Sequence, residues 1–272
     1  NNFGFAYIDI STGEFYVTQI SKDIKEKLID EFNRVKPKEI IIDDKILNDE
    51  DNNFFNKDDE IIKNKVSIKN YEEARSYLIE HFNTNSLSGF GIEEKVAAVI
   101  AAGEIIKFIG NTQKRTLKHI NNISLYNLNE YMVLDTATRR NLELTETIRE
   151  KKKEGSLLDV LDKTITSPGA RKIKKWINQP LINKEQIDNR LDAVSELTAN
   201  FVLLQAIRNN LDGIYDLERI LTKITYGTAN ARDLVALRCS LEKLPGLKDN
   251  MNILKSKYFI DLNKGFDILE DI

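Results

Sequence analysis

FGFAYIDI-STG-EFYVTQI, residues 3–20, is two runs of β-branched and aromatic residues around a Ser-Thr-Gly turn. It reads as a β-hairpin, with Gly13 free to take a positive φ where the chain reverses. Downstream, an apolar stripe of Ile24, Leu28, Phe32 and Val35 predicts a helix capped by Ser21 and ended by Pro37. KEIIIDD (38–44) is a short continuous apolar run, the pattern of a buried central strand. Strand and helix signals alternate again through KVSIKN (65–70) and EEARSYLIEHF (72–82). A long apolar helix then runs from about Ile92 to Phe108, where Ala97, Ala98, Ala101, Ala102 and Gly103 permit close packing. The order ββαβαβα predicts a mixed-direction sheet covered by helices. Residues 115–130 lack a clear period and read as a connection.

Beyond residue 130 the signals are helical. Asp135 is placed to cap a helix carrying Leu134, Leu142, Leu144 and Ile148. Ser156 with Asp159 resembles a capping box, and Ser167-Pro168 gives a cap with proline at the first helical position. Asn183 with Gln186 opens a helix whose Ile187, Leu191, Val194 and Leu197 share one face. Leu217, Ile220, Leu221 and Ile224 form another stripe, ended by Gly227. Asn230 with Asp233 opens Leu234, Leu237, Leu241 and Leu244, with Pro245-Gly246 as the expected stop. Six amphipathic helices with short connectors predict a helical bundle or array. The fold class expected is therefore α/β plus all-α: residues 1–114, a linker at 115–130, and a helical domain at 131–272.

Composition sets the outer limits. The 272 residues are 41% apolar and 31% charged, with net charge −3 and one cysteine. That length suggests two domains, and the apolar content excludes intrinsic disorder. A lone Cys239 excludes an internal disulfide framework and multi-cysteine metal sites. No apolar run is long enough for a membrane span, and NNFGFAYIDIS does not read as a signal peptide. A cytoplasmic protein is expected, and the missing initiator Met suggests a piece of a longer one. Charge is uneven: residues 1–114 hold 15 Lys+Arg against 21 Asp+Glu, residues 115–272 hold 25 against 22. Different partners for the two halves would account for the split.

Several constellations carry possible chemistry. Asp9 in a strand and Asp43-Asp44 at a strand end could hold Mg²⁺ for phosphodiester cleavage, or simply mark turns. Asp49, Asp51, Asn53 and Glu60 match positions 1, 3, 5 and 12 of a calcium loop. Phe54 stands where glycine is required and Asn56 where an apolar residue belongs, so a solvated acidic loop is expected. Gly89-Phe90-Gly91 lacks the third glycine of a dinucleotide fingerprint and reads as a turn, and there is no P-loop sequence. His81 and His119 are isolated, and Cys239 reads as a small, partly buried hydrophobe. Lys151–Lys153 read as a solvated helix end. In ARKIKKWINQP, Arg171, Lys172, Lys174 and Lys175 surround Ile173, Trp176 and Ile177. They offer a basic face for nucleic-acid phosphates, against the alternative of solvated lysines on a packed helix.

Longer stretches resemble a known family. LDTATRRNLELTETIRE (134–150) and GSLLDVLDKTITSPGARKIKKWINQPL (155–181) are similar to the opening of the core domain of the MutS family of DNA mismatch-repair proteins. DLERILTKITYGTANARDLVALRCSLEKLPGL (216–247) is similar to its continuation, and GFAYIDISTGEFYVTQI (4–20) with VKPKEIIID (35–43) resembles the family's connector domain. The resemblance implies a ribonuclease-H-like connector without nuclease activity, followed by a helical core that forms the base of the lever helices.

It also implies an interior span of a bacterial protein, set between the mismatch-reading domain and the levers, clamp and ATPase. Such a span would be non-catalytic and hold no cofactor, whereas the whole protein would use ATP and Mg²⁺. Its implied partners are MutL at the connector and, for the whole protein, mismatched double-stranded DNA and a second copy. Its implied setting is the cytoplasm, at the nucleoid. Two rival readings remain: a ribonuclease-H-like nuclease, and a helical adaptor unrelated to repair. DNA binding by this stretch alone is expected to be weak and salt-sensitive.

Overall fold

The computed structural model describes residues 2–43, 61–68, 70–112 and 117–269. They divide into two compact units, 1–128 and 129–272.

In the first unit, β1 (Phe3–Asp9) pairs antiparallel with β2 (Glu14–Ile20), from Phe3 opposite Ile20 to Asp9 opposite Glu14. The reversal is built by Asp9 and Gly13. The Gly13 N–H donates to Asp9 O at 2.8 Å, with Gly13 at φ 77°. Helix α1 (Ile24–Val35) buries Leu28 and Phe32, and ends as Lys36 takes φ 50° ahead of Pro37. Its start is set by Asp23, also at φ 50°, and not by Ser21, which lies too far upstream to reach the first turn.

Strand β3 (Glu39–Ile42) pairs parallel with β4 (Ile62–Lys65) in a separate two-stranded sheet. Among the described residues β3 is paired on one edge only, with Ile42 buried and Ile40 and Ile41 partly exposed, so it does not match the buried central strand expected. β4 precedes the expected 65–70 segment, because Ile68 is buried by a loop instead of a strand.

Helix α2 spans Tyr71–Phe82 and packs against α3 (Val96–Thr112), which lies on the hairpin sheet. The small residues of α3 allow this contact to be close. A Cβ on Gly103 would lie 2.7 Å from Ala74 Cα, and one on Gly4 would lie 1.8 Å from Ala97 O. Phe15, Val17, Leu78, Leu87, Ile92, Val99 and Ile106 form one buried cluster between these elements.

The 115–130 stretch corrects the expected linker. Its Leu117, Ile120 and Ile123 are buried in that same cluster, and β5 (Ser124–Leu125) runs parallel to β2 opposite Tyr16 and Val17. Pairing across more than 100 residues leaves no local period for the sequence to display. The first unit is therefore mixed α/β, with sheets β1-β2-β5 and β3-β4.

The second unit contains nine helices among the described residues, not six. They are α4 (Thr136–Asn141), α5 (Leu157–Leu161), α6 (Ser167–Asn178), α7 (Lys184–Ala199), α8 (Phe201–Leu211), α9 (Leu217–Thr225), α10 (Ala231–Leu241), α11 (Leu244–Ile253) and α12 (Lys257–Lys264). Asp135, Ser156 and Asn183 each accept a first-turn N–H, and Asn230 with Asp233 completes a capping box.

Other expectations shift. α4 stops at Asn141, since Glu143 takes φ 46° and throws Leu144 and Ile148 into a folded loop. The cap of α6 is Thr166, whose Oγ1 accepts from Gly169 N at 3.2 Å, which moves Pro168 one position inward. Pro245 opens α11 instead of stopping a chain segment, as befits a residue with no N–H to satisfy. Asn200 both ends α7 and caps α8, with its side chain accepting from Leu203 N at 3.1 Å.

Candidate functional site

The basic residues of α6 do not act as one group. Arg171 is ion-paired within the unit: its guanidinium donates to Asp216 Oδ2 at 2.6 Å and Oδ1 at 2.9 Å, and also to Glu218. Asp216 precedes α9 and Glu218 lies in its first turn, so Arg171 ties α6 to the N-terminus of α9. Arg171 holds the Asp216 carboxyl below its ordinary range.

Lys172 and Lys174 are exposed and Lys175 is half-buried. Lys172 Nζ lies 5.9 Å from the Trp176 ring centroid, and the Arg190 guanidinium from α7 stacks on the same ring at 3.8 Å. The indole thus gathers Lys172 and Arg190 by cation–π attraction. Arg190 could not be read from the sequence. It lies 14 residues from Trp176 on another helix, and nothing in its local pattern marks it.

The first unit holds a buried network that the sequence did not reveal. Arg34 and Glu31 on α1 form an ion pair with both side chains under 10% exposed, through Nε at 2.8 Å and Nη2 at 2.5 Å. Tyr126 Oη donates to Glu31 Oε2 at 2.6 Å, and Arg34 Nη1 donates to Tyr7 Oη at 3.3 Å. Arg34 stacks over the Tyr7 and Tyr126 rings, at 5.0 and 5.6 Å. Burial raises the Tyr126 hydroxyl well above its usual pKa, and Glu31 adds to this, so the phenol remains a donor. The network locks α1 onto the sheet.

Glu104, buried on α3, accepts from Ser67 N, Ser67 Oγ and Ile68 N at 2.7–2.9 Å, fixing the chain after β4. Glu93 gathers Arg75, Ser86 and the Leu87 N–H, which brings its carboxyl down to about 2.

The histidines are structural clamps. His81 Nε2 bonds Ile120 O at 2.7 Å and His119 Nε2 bonds Ile10 O at 3.0 Å. Cys239 is half-buried. Gly89-Phe90-Gly91 lies in a 3₁₀ turn closed by Gly91 at φ 72°. In the loop after α4, Lys152 pairs with Glu150 and Lys153 reaches Asp162, so these lysines do not end a helix.

Asp9 and Asp43 are not on neighbouring paired strands. Asp9 Oδ1 accepts from Ser11 N at 2.8 Å and Ser11 Oγ at 2.7 Å, which makes it a turn residue. Asp43 follows β3 in the other sheet. Among the described residues, no group of three or more His, Cys, Asp or Glu is placed to hold a metal. Asp44 and the calcium-like residues Asp49, Asp51, Asn53 and Glu60 lie outside the described residues. Among the described residues, no helix is long and apolar enough to cross a membrane.

Comparison with known proteins adds the family. Residues 1–121 match the model described as MutS domain II, and residues 137–271 match MutS domain III. The chain is 56% identical to the DNA mismatch repair protein MutS of Halothermothrix orenii, covering all of this chain and 30% of that protein. It is 41% identical to the protein of the same name from Ruminiclostridium cellulolyticum, again over all of the chain and 31% of the relative. For the Clostridioides difficile protein of that name the identity is 40%, over all of the chain and 28% of the relative. The chain therefore spans less than a third of the length of these curated relatives.

Proposed function

The chain belongs to the MutS family, and from that membership we propose that its two units form the connector and core of a mismatch-repair protein, coupling mismatch-bound DNA to an ATPase elsewhere in the whole protein. In this reading the first unit is a ribonuclease-H-like connector without nuclease activity. The second is the helical base on which the lever helices stand. The observation that supports the reading is the correspondence of match and architecture. The domain II match falls within unit 1–128 and the domain III match within unit 129–272.

The stretch itself holds no cofactor and catalyses nothing; ATP and Mg²⁺ belong to the whole protein, which acts as a homodimer on mismatched double-stranded DNA at the bacterial nucleoid. The acidic first half supplies part of a docking surface for MutL, its excess of carboxylates favouring a basic partner face. Lys172 and Lys174, with Arg190 beside them, provide at most a weak phosphate contact, because Arg171 is committed to Asp216. Coupling needs an element whose equilibrium both sites bias, and reorientation of two separately folded units on one chain would supply it.

Titration of the full chain with MutL tests the reading. Saturable binding that weakens with salt is expected, and no binding at high micromolar concentration would overturn the docking role. Incubation with Mg²⁺ and DNA separates the nuclease alternative. Cleavage by the chain that disappears in Asp9→Asn would contradict the non-catalytic assignment.

A further inference from the structure

Trp176, the single tryptophan of the chain, lies on α6 where a side chain from α7 reaches it. The Arg190 guanidinium of α7 stacks on its ring at 3.8 Å, and Lys172, one turn before Trp176, brings Nζ to 5.9 Å. Among the described residues neither cation has an ion pair or a hydrogen bond, whereas Arg171 on the same helix has both. A guanidinium stacked by its face keeps its in-plane N–H groups open, and their fork matches a carboxylate. The ring also holds Arg190 in place before anything binds, so pairing it costs little further side-chain entropy.

α7 itself supplies no counter-charge. Asp188 and Asp192 stand two residues to either side of Arg190 and so do not face it. Asp188 pairs with Lys184, Glu185 pairs with Lys257, and Glu196 accepts from Lys255 N and Ser256 N. The side of α7 that carries Arg190 is otherwise apolar. Val194 is one turn on from Arg190 and Leu191 one turn back from Val194, both about 60% exposed. An open apolar strip and two uncompensated cations thus share one face.

We propose that this face of α6 and α7 docks an amphipathic helix of a partner protein, its apolar side chains on Leu191 and Val194 and its carboxylates on Arg190 and Lys172. Carboxylates three or four positions from apolar residues on the incoming helix meet both features at once. Nucleic-acid phosphates would pair with the same cations but leave Leu191 and Val194 in water, so the apolar strip selects a protein helix.

Trp176 reports on the face directly. The probe is a labelled, tryptophan-free peptide of about 18 residues, with Leu and Glu spaced to lie on one side of a helix. Titrated into the full chain, it should bind saturably, more weakly as salt rises, and shift the Trp176 emission. Arg190→Gln should raise its Kd about tenfold, as should Leu191→Ser with Val194→Ser. Lys172→Gln, at an exposed position, should raise it about threefold. A Trp176 emission that stays unmoved at saturation would overturn the proposal, as would equal binding of a peptide with Lys in place of Glu. Unchanged affinity in the Arg190 and Leu191/Val194 variants would do the same. Duplex DNA displacing the peptide at equal or lower concentration would assign the face to phosphates. A dimer of the chain that excludes the peptide and that Leu191→Ser with Val194→Ser dissociates would assign it to a second copy, and either result overturns the partner helix.

Discussion

The two units bury their apolar residues very differently. Among the described residues, nineteen buried apolar side chains lie in the first unit and ten in the second, whereas large apolar side chains left exposed number three and twenty-two. Both continuous buried clusters belong to the first unit. A sheet with helices laid on it closes around a centre, as Leu78, Leu87, Ile92 and Val99 do at full burial. In the second unit α8 packs on α11 and α7 on α12, and α7–α8 and α11–α12 also touch, yet much of the apolar surface of these helices stays open. On α7, Ala193 is buried while Leu191 and Val194 remain about 60% exposed.

Polar ties compensate in part. Ser240 Oγ accepts from Tyr215 N at 3.0 Å, Glu196 accepts from Lys255 N and Ser256 N, and Lys248 Nζ donates to Asn263 O and Phe266 O. The first unit is thus held by volume and the second by ties between helix ends. A unit of the second kind gains most from whatever covers its apolar faces.

The contrast can be tested by breaking one ion pair in each unit. Arg34→Met leaves Glu31 buried without its partner and should cost about 4 kcal/mol of the first unit's stability. Arg171→Met, at a pair more open to water, should cost the second unit about 2 kcal/mol. Denaturant unfolding followed by probes in each unit reads both, and equal costs would argue against the comparison. Apolar truncations sharpen it. Leu78→Ala should lose about 3 kcal/mol, and Leu191→Ala less than about 0.5 kcal/mol.

Acid should affect the units in sequence. His81 has its pKa lowered by burial, so the folded state binds its proton less readily than the unfolded chain. The stability this contributes is complete above the ordinary histidine value of 6.5 and declines as pH falls below it. Glu93 in the first unit and Asp162 in the second are held to about 2, chiefly by Arg75 and Lys153. Their contributions are complete above the ordinary carboxylate values and are lost as pH falls toward 2. A melting series from pH 8 to 2 should show the first unit beginning to weaken as pH falls through 6.5 while the second holds. His81→Gln should remove that early decline.

The smallest effect belongs to the exposed lysines. Lys172→Gln with Lys174→Gln should leave stability within about 0.5 kcal/mol, and should reduce the salt slope of any DNA binding by about 2.

What the sequence made legible follows the range of each interaction. Caps made by neighbours in sequence, such as Asn230 with Asp233 and Asn183 with Gln186, stand as read. So does the hairpin turn at Gly13. Failures came where a distant partner decides. Leu117, Ile120 and Ile123 have no period of their own, since β2 and α2 supply their setting. The ion pair of Arg171 was hidden because its acceptors are 45 and 47 residues away. Exposure of Leu191 and Val194 was equally hidden, because a stripe shows which face is apolar but not whether anything covers it.

Native-state hydrogen exchange on the full chain, resolved element by element, tests the central difference most directly. The account predicts that the α3 amides of Val99 to Ile109 exchange slowest of all, at least a hundredfold slower than those of α9 and α10, with β2 close behind α3. Equal protection of the two units, or a second unit slower than the first, would contradict it.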